Sequence, residues 1–369
     1  RFLLHLLLSS SPHSLATRSP RVASAALSAP PERIDPAPYH TPSPTVTRLK
    51  MAETGPGTLG DDTGDDNHED ADLKKNQGVM EFFAELKEGP SKIKEWFKEI
   101  TKKPPRFDAF LANPDKNRYP NAVLYDATRV KLKPNKPDTT SDYIHASWVD
   151  SFEKRKGYIL SQAPYDSETE FDFWRMVSQT KPSLIVVLTN IKKGDTNFIR
   201  QFWPNQQELK DFGFIRVKCE EFDEARDHDR YDLTVDLHDK TVNSPPLLAY
   251  SAWEDDKHLP ANLLEFRATM KIALRKVEAR PKPPAVDSPV LLVCPSGVHR
   301  AGTFAGLDIV LDRISAERKV GLAETVSIMR TQRFGVFSMF GHYQTVADII
   351  VRHAVSCNIV NPDALLGKS

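Results

Sequence analysis

The chain has few cysteines, no long apolar run and no excess of charge of either sign, and each absence excludes a class of protein. Its three cysteines, Cys219, Cys294 and Cys357, are widely spaced, which excludes a disulfide framework and a zinc site of clustered thiols. No apolar run approaches the roughly 20 residues of a membrane-spanning helix. Lys+Arg and Asp+Glu number 50 each among 369 residues, so bulk attraction to nucleic acid or membranes is not expected. We therefore expect a globular, cytoplasmic protein in which any anion site is local.

Composition divides the chain into successive stretches. The first is rich in Arg and Ser and has no acidic residue before Glu32, which is typical of a targeting segment. Met51 then opens the next stretch as a natural start would, so translated upstream sequence is the alternative. We expect a disordered upstream or targeting segment (1–50), a disordered acidic tail (51–78), N-terminal helices (79–103), the main domain (104–356) and a C-terminal tail (357–369).

The main domain has the pattern of a sheet flanked by helices. "SLIVVLTN" is continuous and β-branched, as in a buried strand, whereas "FIRVKCEEF" and "RYDLTVDLH" alternate, as in an antiparallel pair. "LLEFRATMKIALRKVEA" and "FAGLDIVLDRISAE" have helical spacing. The expected fold class is α/β (α+β): one domain with a central, mixed, highly twisted sheet flanked by helices.

The segment from Val290 to Phe304, "VLLVCPSGVHRAGTF", carries the most chemistry. Cys294 ends a predicted strand, and the loop after it leads into a predicted helix. Backbone N–H groups and the dipole at a helix N-terminus attract an anion and favour the thiolate form of a cysteine. Arg300 can hold two oxygens of a phosphate at once. The pattern therefore indicates a phosphate site with a nucleophilic cysteine; the alternative is an inert buried cysteine beside a surface arginine.

Several motifs resemble those of the protein tyrosine phosphatases, from about Phe107 to Val351. "KNRYPNAVLYDATRVKL" resembles the phosphotyrosine-recognition segment of that family, "DYIHASWV" its D-Y-I-N-A-S/N-Y-V, and "YILSQAPY" its Y-I-A-T-Q-G-P. The cysteine loop resembles H-C-S-A-G-x-G-R-S/T-G. The variation is similar to that of divergent, non-receptor-type phosphatase domains that are numerous in nematodes. Order and spacing agree across the motifs, which makes the resemblance more specific than any single motif.

The resemblance implies hydrolysis of phosphotyrosine through a cysteinyl-phosphate intermediate, without a metal or cofactor. It makes Cys294 the nucleophile, Arg300 the ligand of the phosphate oxygens and Asp255, in "AWEDDKHLP", the general acid. Asp256 is a less favoured substitute. The substrate-binding residues that it implies are Tyr119, Asn121, Pro295, Ser296, Gly297, Val298, His299 and Ser338. The implied partner is a phosphotyrosine-containing protein.

The sequence departs from the family pattern around these residues. Val293 replaces a histidine before the nucleophile, Ala301 replaces a hydroxyl that assists departure of the thiolate, and Ser338 replaces a glutamine that positions water. His299 replaces a glycine, so its Cβ is expected to strain the loop. "NIKKGDTNF" lacks the glutamate that braces the arginine. Two hypotheses stay open: an attenuated phosphatase, and an inactive pseudophosphatase that binds phosphotyrosine or a tyrosine kinase.

Overall fold

The computed structural model describes residues 78–87, 90–100, 106–134, 141–191 and 199–361. The expected upstream segment and the acidic tail, apart from residue 78, lie outside the described residues, as does most of the C-terminal tail. The described part of the main domain forms a mixed, open sheet with helices on both faces. The fold class expected from the sequence is confirmed.

Strands dominate the first part of the domain, and helices dominate its end. The strands are β1 (Arg129–Lys131), β2 (Tyr143–Val149), β3 (Tyr158–Gln162), β4 (Leu184–Leu188), β5 (Leu209–Asp211), β6 (Ile215–Glu224), β7 (His228–Leu237), β8 (Lys240–Asn243), β9 (Pro246–Tyr250) and β10 (Val290–Cys294). The helices are α1 (78–87), α2 (Pro90–Ile100), α3 (Asp108–Leu111), α4 (Ser167–Thr180), α5 (Leu263–Glu278), α6 (His299–Glu317), α7 (Leu322–Gln332) and α8 (Phe340–Ser356), with a 3₁₀ turn at Pro114–Lys116.

The middle of the sheet is parallel and its two sides are antiparallel. The strand order is β1-β2-β3-β10-β4-β9-β7-β6-β5, and β8 pairs with β7. Strand β10 is parallel to both β3 and β4, and β4 is parallel to β9. Both β4 and β10 are buried along their whole length, which is why they are continuous apolar runs. The carboxyl ends of these central strands meet at one edge of the sheet, where α/β proteins commonly bind ligands.

Alternating side chains of β10 divide the core into two layers. Leu292 and Cys294 belong to the layer covered by α5 to α8. Leu291 and Val293 belong to the opposite layer, which α4 covers. Cys294 therefore faces the side of the sheet from which α6 departs, and Val293 is enclosed in apolar surroundings.

The N-terminal helices pack against the domain through their aromatic residues. Phe82 of α1 stacks on Trp96 of α2 with ring centroids 6.0 Å apart. Phe97 contacts the ring of Tyr343 in α8 edge-on at 6.3 Å. These contacts bury the apolar stripes that the sequence shows in both helices.

Candidate active site

The loop between β10 and α6 begins at the last residue of the central strand. Sheet pairing extends through this residue, because the Ala163 N–H donates to the Cys294 carbonyl at 2.9 Å. The Cys294 side chain is fully buried, and its Sγ lies 4.0 Å from the Ser296 Oγ. The Ser296 hydroxyl in turn accepts a hydrogen bond from the Val298 N–H at 3.2 Å. The loop thus holds its sulfur at the floor of a small hydrogen-bonded turn.

Gly297 is the point at which this loop passes closest to the sheet. Its φ is +64°, and a Cβ added there would lie 2.4 Å from the Gln162 nitrogen and from the Ser161 carbonyl carbon. Both neighbours are backbone atoms of β3 and cannot rotate away. Only glycine therefore fits, for reasons of both conformation and space.

Replacing Gly297 by alanine is expected to cost far more stability than the same change at Gly213. Both residues have a positive φ, but nothing lies within 4 Å of a Cβ at Gly213. Gly213→Ala is expected to cost about 1–2 kcal/mol from the left-handed backbone alone, whereas Gly297→Ala also displaces β3 from the loop. Urea denaturation of the two variants measures the difference, and equal losses would contradict the close approach.

Arg300 is fully buried in the first turn of α6, and its guanidinium is held by groups from two other segments. Its Nη1 donates to the Thr189 Oγ1 at 2.6 Å and to the Trp253 carbonyl at 2.9 Å. Its Nε donates to the Asp256 carboxylate at 2.8 Å. These partners fix the plane of the guanidinium beside the cysteine loop. The segment "NIKKGDTNF", which is expected to lack the glutamate that braces the arginine, falls largely on residues 192–198, and these lie outside the described residues.

Arg333 braces the loop from below. This fully buried arginine donates through Nε to the Gly297 carbonyl at 3.1 Å and through Nη2 to the Ser296 carbonyl at 3.1 Å. Burial lowers the pKa of Arg333 to about 10, which still leaves the guanidinium charged at neutral pH. These contacts direct the two carbonyls toward Arg333. The N–H groups of Gly297 and Val298 bond within the loop, to the Cys294 carbonyl and to the Ser296 hydroxyl at 3.2 Å each, so an anion must compete for them.

His145 links Arg333 to the segment that carries Tyr119. Its Nδ1 lies 3.1 Å from the Arg333 Nη2, and its Nε2 lies 2.7 Å from the Ala122 carbonyl. Burial, followed by the Arg333 charge, lowers the pKa of His145 to about 3. The imidazole is therefore neutral, accepting at Nδ1 and donating at Nε2.

The adjacent carboxylates of Asp255 and Asp256, in the loop "AWEDDKHLP", point in different directions. Asp255 accepts hydrogen bonds from the backbone N–H groups of Lys257 and His258, and its Oδ2 lies 3.1 Å from the His258 Nδ1. The His258 side chain, together with the backbone bonds, lowers the pKa of Asp255 to about 2. Asp256 is the carboxylate that contacts Arg300. Asp255, the predicted acid, is thus held by hydrogen bonds within its own turn, and Asp256 forms the ion pair with Arg300.

A cleft of about 300 Å³ opens above the loop. It brings together the following residues that the sequence analysis assigns to substrate binding: Tyr119, Asn121, Ser296, Val298, His299 and Ser338. Asp256, Arg330 and Phe334 also line it. Pro295 and Gly297 belong to the same loop without lining the cleft, and Asp255 is not part of its wall.

The expected strain at His299 is not found, and that expectation was wrong. His299 is the first residue of α6 and has no positive φ, so its Cβ is accommodated as in any helix. Its Nδ1 lies 3.3 Å from the Ser338 Oγ. Burial lowers the pKa of His299, which favours the neutral ring. In that form Nδ1 can accept a hydrogen bond from the Ser338 hydroxyl.

Sequence reasoning missed the residues that support Arg300 and the loop. Thr189 directly follows the buried run of β4, and this position was its only signal. Arg333 lies in "RTQRFGVFSMFGHY", which resembles the family motif R-x-Q-R-x-G-M-V-Q-T-x-E-Q-Y, and His145 stands where that family has asparagine. Neither position in the sequence indicates a contact with the loop. Only its position next to Asp255 distinguished Asp256 in the sequence, and nothing there indicated its contact with Arg300.

Comparisons of the sequence with known proteins give one family match and several relatives. The family model described as "Protein-tyrosine phosphatase" matches residues 113–352. The chain is 30% identical over 249 residues to human receptor-type tyrosine-protein phosphatase C, covering 65% of this chain and 18% of that protein. It is 31% identical over 231 residues to rat tyrosine-protein phosphatase non-receptor type 9, covering 60% and 38%.

A third relative, human receptor-type tyrosine-protein phosphatase alpha, is 32% identical over 248 residues, covering 65% of this chain and 30% of the relative. The chain thus spans less than two fifths of the length of these relatives. Within the described ranges, no helix has the length and apolar character needed to cross a membrane. Because the family model covers more than half of the chain, the chain belongs to the protein-tyrosine phosphatase family.

Proposed function

We propose that the chain hydrolyses phosphotyrosine on proteins, at an attenuated rate, with Cys294 as nucleophile. One observation carries the proposal: a buried cysteine and a buried arginine stand at the two ends of one loop, and the arginine is held by the buried Thr189 hydroxyl and Trp253 carbonyl. Such a fixed arrangement of thiol, guanidinium and loop N–H groups stabilises charge on a phosphoryl group in transfer.

The proposed reaction has two steps. The Cys294 Sγ attacks phosphorus, the bond from phosphorus to the tyrosyl oxygen breaks, and Asp255 protonates the departing phenolate. Water then attacks the thiophosphate, the S–P bond breaks, and the carboxylate of Asp255 takes a proton from the water. Arg300 holds the equatorial oxygens in both steps, together with loop N–H groups that exchange their bonds within the loop for bonds to the phosphoryl group.

Both acidic residues must move for the first step. Asp256 bonds to the same guanidinium that is to hold the phosphate, so an arriving dianion competes with this carboxylate. Asp255 must leave the turn in which Lys257 and His258 hold it. These bonds keep its pKa at about 2, so the carboxylate gains the proton that it gives to the phenolate only after they break. We assign the two tasks to one loop movement, in which phosphate displaces Asp256 and Asp255 swings toward the leaving group.

Amide substitutions of the two neighbours are expected to have opposite effects. Asp256→Asn weakens the contact with Arg300, so KM and the inhibition constant for vanadate are expected to fall about tenfold, as for the loss of one charged hydrogen bond. Asp255→Asn removes the proton donor, so kcat is expected to fall about 10²–10⁴-fold. Steady-state kinetics on a phosphotyrosyl peptide, with vanadate titration, measures both.

Each variant serves as the control for the other, because the residues are adjacent and the change is the same. A fall in kcat for Asp256→Asn, with Asp255→Asn unaffected, would identify Asp256 as the acid. Aryl phosphates with better leaving groups add a second test. A nitrophenyl phosphate is expected to restore most of the kcat lost in Asp255→Asn and none of any loss caused by misfolding.

Tyr119 supports phosphotyrosine as the substrate class. It lines the cleft opposite the loop, and the Arg118 guanidinium lies 5.7 Å from its ring centroid. An aromatic wall offers stacking to a tyrosyl ring and nothing comparable to a seryl side chain. Matched phosphotyrosyl and phosphoseryl peptides test this assignment with the full chain. Phosphate release from the first alone supports it, and equal release contradicts it.

A second candidate function is capture of phosphotyrosine without turnover. Ala301 is buried and has no hydroxyl to assist departure of the thiolate, and Ser338 presents its hydroxyl to His299. These features favour a slow second step. A tyrosine kinase is the partner that such a module would hold, and copurification of a kinase with the Cys294→Ser protein tests it.

We also propose a cytoplasmic location, which the scarcity of cysteine supports; imaging that shows secretion or mitochondria contradicts it.

A further inference from the structure

A second cavity is lined in part by Gln332, two residues before Phe334 of the active-site cleft. It has a volume of about 390 Å³, and β1, the end of β2 and the turn before β3 form its walls. Its charged and aromatic lining consists of Arg129, Lys131, Arg155, Lys156, Asp150 and Trp148. Because the whole chain has no net charge, so many cations around one recess do not follow from its composition.

The carboxylate in this cavity is already engaged. Asp150 accepts the Lys156 N–H at 2.7 Å on Oδ1 and the Gln332 Nε2–H at 2.8 Å on Oδ2. Neither the Lys131 ammonium nor the Arg155 guanidinium has an ion-pair partner among the residues that the structure describes. Among the described residues, Asp142 and Asp150 offset two of the four cations, so the lining retains an excess of positive charge.

Arg129 supplies a buried donor without an acceptor. Its side chain is only 9% exposed, and its Nη2 is paired with the Asp142 carboxylate at 2.8 Å. Its Nε, however, has no hydrogen-bond partner within the described ranges. Buried donors are almost always satisfied, and Arg129 lines the cavity, so its Nε–H is a donor that the acceptor oxygen of a ligand can satisfy.

Lys156 is held in place by its backbone. Its φ is +57°, a conformation that costs energy for a residue with a side chain. The Asp150 contact maintains this conformation, and the ammonium lies 5.5 Å from the centroid of the Trp148 ring. The turn therefore fixes a cation at the wall of the cavity, where a surface lysine would otherwise be free to move.

The cavity is close to the active-site cleft. Gln332 lines the cavity and Phe334 lines the cleft, so their Cα atoms are at most about 7.6 Å apart, the length of two peptide units. An extended peptide advances about 3.3 Å per residue. The volumes of the cleft and the cavity correspond to radii of about 4–5 Å, so groups seated in the two sites are about 10–16 Å apart. A substrate chain that spans this distance has about three to five residues between them.

We propose that this cavity binds a second phosphate monoester on the substrate peptide, about three to five residues from the phosphotyrosine. The inference rests on the proposed function. The short distance to the active-site cleft favours a phosphate on the same peptide over a lipid headgroup, because a few extended residues span both sites. Lys131, Arg155 and the Arg129 Nε supply the charge-assisted donors that a phosphate dianion prefers.

The test measures peptide binding to the full chain carrying Cys294→Ser, which prevents turnover. One peptide carries phosphotyrosine alone, and four others add phosphoserine three or five residues before or after it. At least one doubly phosphorylated peptide is expected to bind about tenfold tighter, with a steeper dependence on salt. The double variant Lys131→Gln, Arg155→Gln is expected to remove this gain and leave the affinity for the singly phosphorylated peptide unchanged.

The matched control is Lys276→Gln, Lys282→Gln, which removes the same charge from exposed positions outside the cavity and is expected to keep the gain. Equal affinity for all peptides, or a gain that survives the cavity variant, would overturn the inference while leaving the proposed function intact. If the singly phosphorylated peptide itself does not bind, the proposed function fails and the inference fails with it. Cavity-dependent binding to phosphoinositide vesicles, without any gain for the peptides, would identify a headgroup site instead.

Discussion

Replacing Cys294 by serine is expected to abolish phosphate release while leaving the phosphotyrosyl peptide bound. The hydroxyl is a far weaker nucleophile than a thiolate at neutral pH, and it fills nearly the same space in a fully buried site. Both the first turnover and the steady state should therefore fall below detection. The measurement combines phosphate release with peptide binding by calorimetry.

Cys219→Ser is the matched control for this change. Cys219 is also a buried thiol, and it lies in the layer of the core opposite to Cys294. Its thiol lies 3.2 Å from the Glu221 carbonyl, a contact that a serine hydroxyl can retain. Turnover should survive this substitution. Loss of activity in both variants would indicate that buried sulfur matters for folding and not for chemistry.

Replacing Arg300 by lysine is expected to lower kcat about 10²–10³-fold, the size of effect seen when one preorganised donor to a developing oxyanion is lost. Lysine keeps the charge but not the planar fork. It cannot reach the Thr189 hydroxyl, the Trp253 carbonyl and a phosphate at the same time. Single-turnover kinetics separates the chemical step from binding.

Arg267→Lys provides the control for loss of a partly buried guanidinium that bonds to carboxylates. Arg267 donates to Asp308 at 2.7 Å and to Asp312 at 2.6 Å, which joins α5 to α6 away from the cleft. This variant is expected to lose stability and to keep its kcat per folded molecule. If both variants lose kcat equally, Arg300 acts through the fold and not through the phosphate.

The centre of the fold was predictable because its residues obey short-range rules. Strands β4 and β10 are buried on both faces, so every position is apolar and the run is unmistakable. The loop after Cys294 follows from a strand, a glycine and a helix in immediate succession. Structure that depends on burial and local conformation can therefore be predicted from the sequence.

The surroundings of Arg300 were not predictable in this way. Thr189 and Arg300 are separated by 111 residues, and no local pattern relates them. Asp255 and Asp256 are identical in chemistry, and the direction of the loop backbone alone decides which one meets the guanidinium. The family pattern also suggested strain at His299, but helix α6 begins at that residue and gives it an ordinary backbone.

The basic cavity could not be predicted from the sequence for the same reason, because its residues are far apart in the chain. Lys131, Arg155 and Gln332 come from a strand, a turn and the end of a helix. Each looks like an ordinary surface residue in the sequence. Only the pairing of β1 with β2, and the contact of Gln332 with Asp150, bring them to one recess.

The central claim is that Cys294 carries the phosphoryl group and that Ala301 and Ser338 slow its hydrolysis. The most direct test is the time course of tyrosyl-peptide dephosphorylation and phosphate release, measured separately, with the full-length chain mixed in excess over a phosphotyrosyl peptide. We expect rapid loss of phosphate from the peptide, a phosphorylated chain visible by intact mass, and a slower appearance of free phosphate. A peptide that binds and keeps its phosphate, with no phosphorylated chain at any time, would contradict the account and leave a phosphotyrosine-binding module.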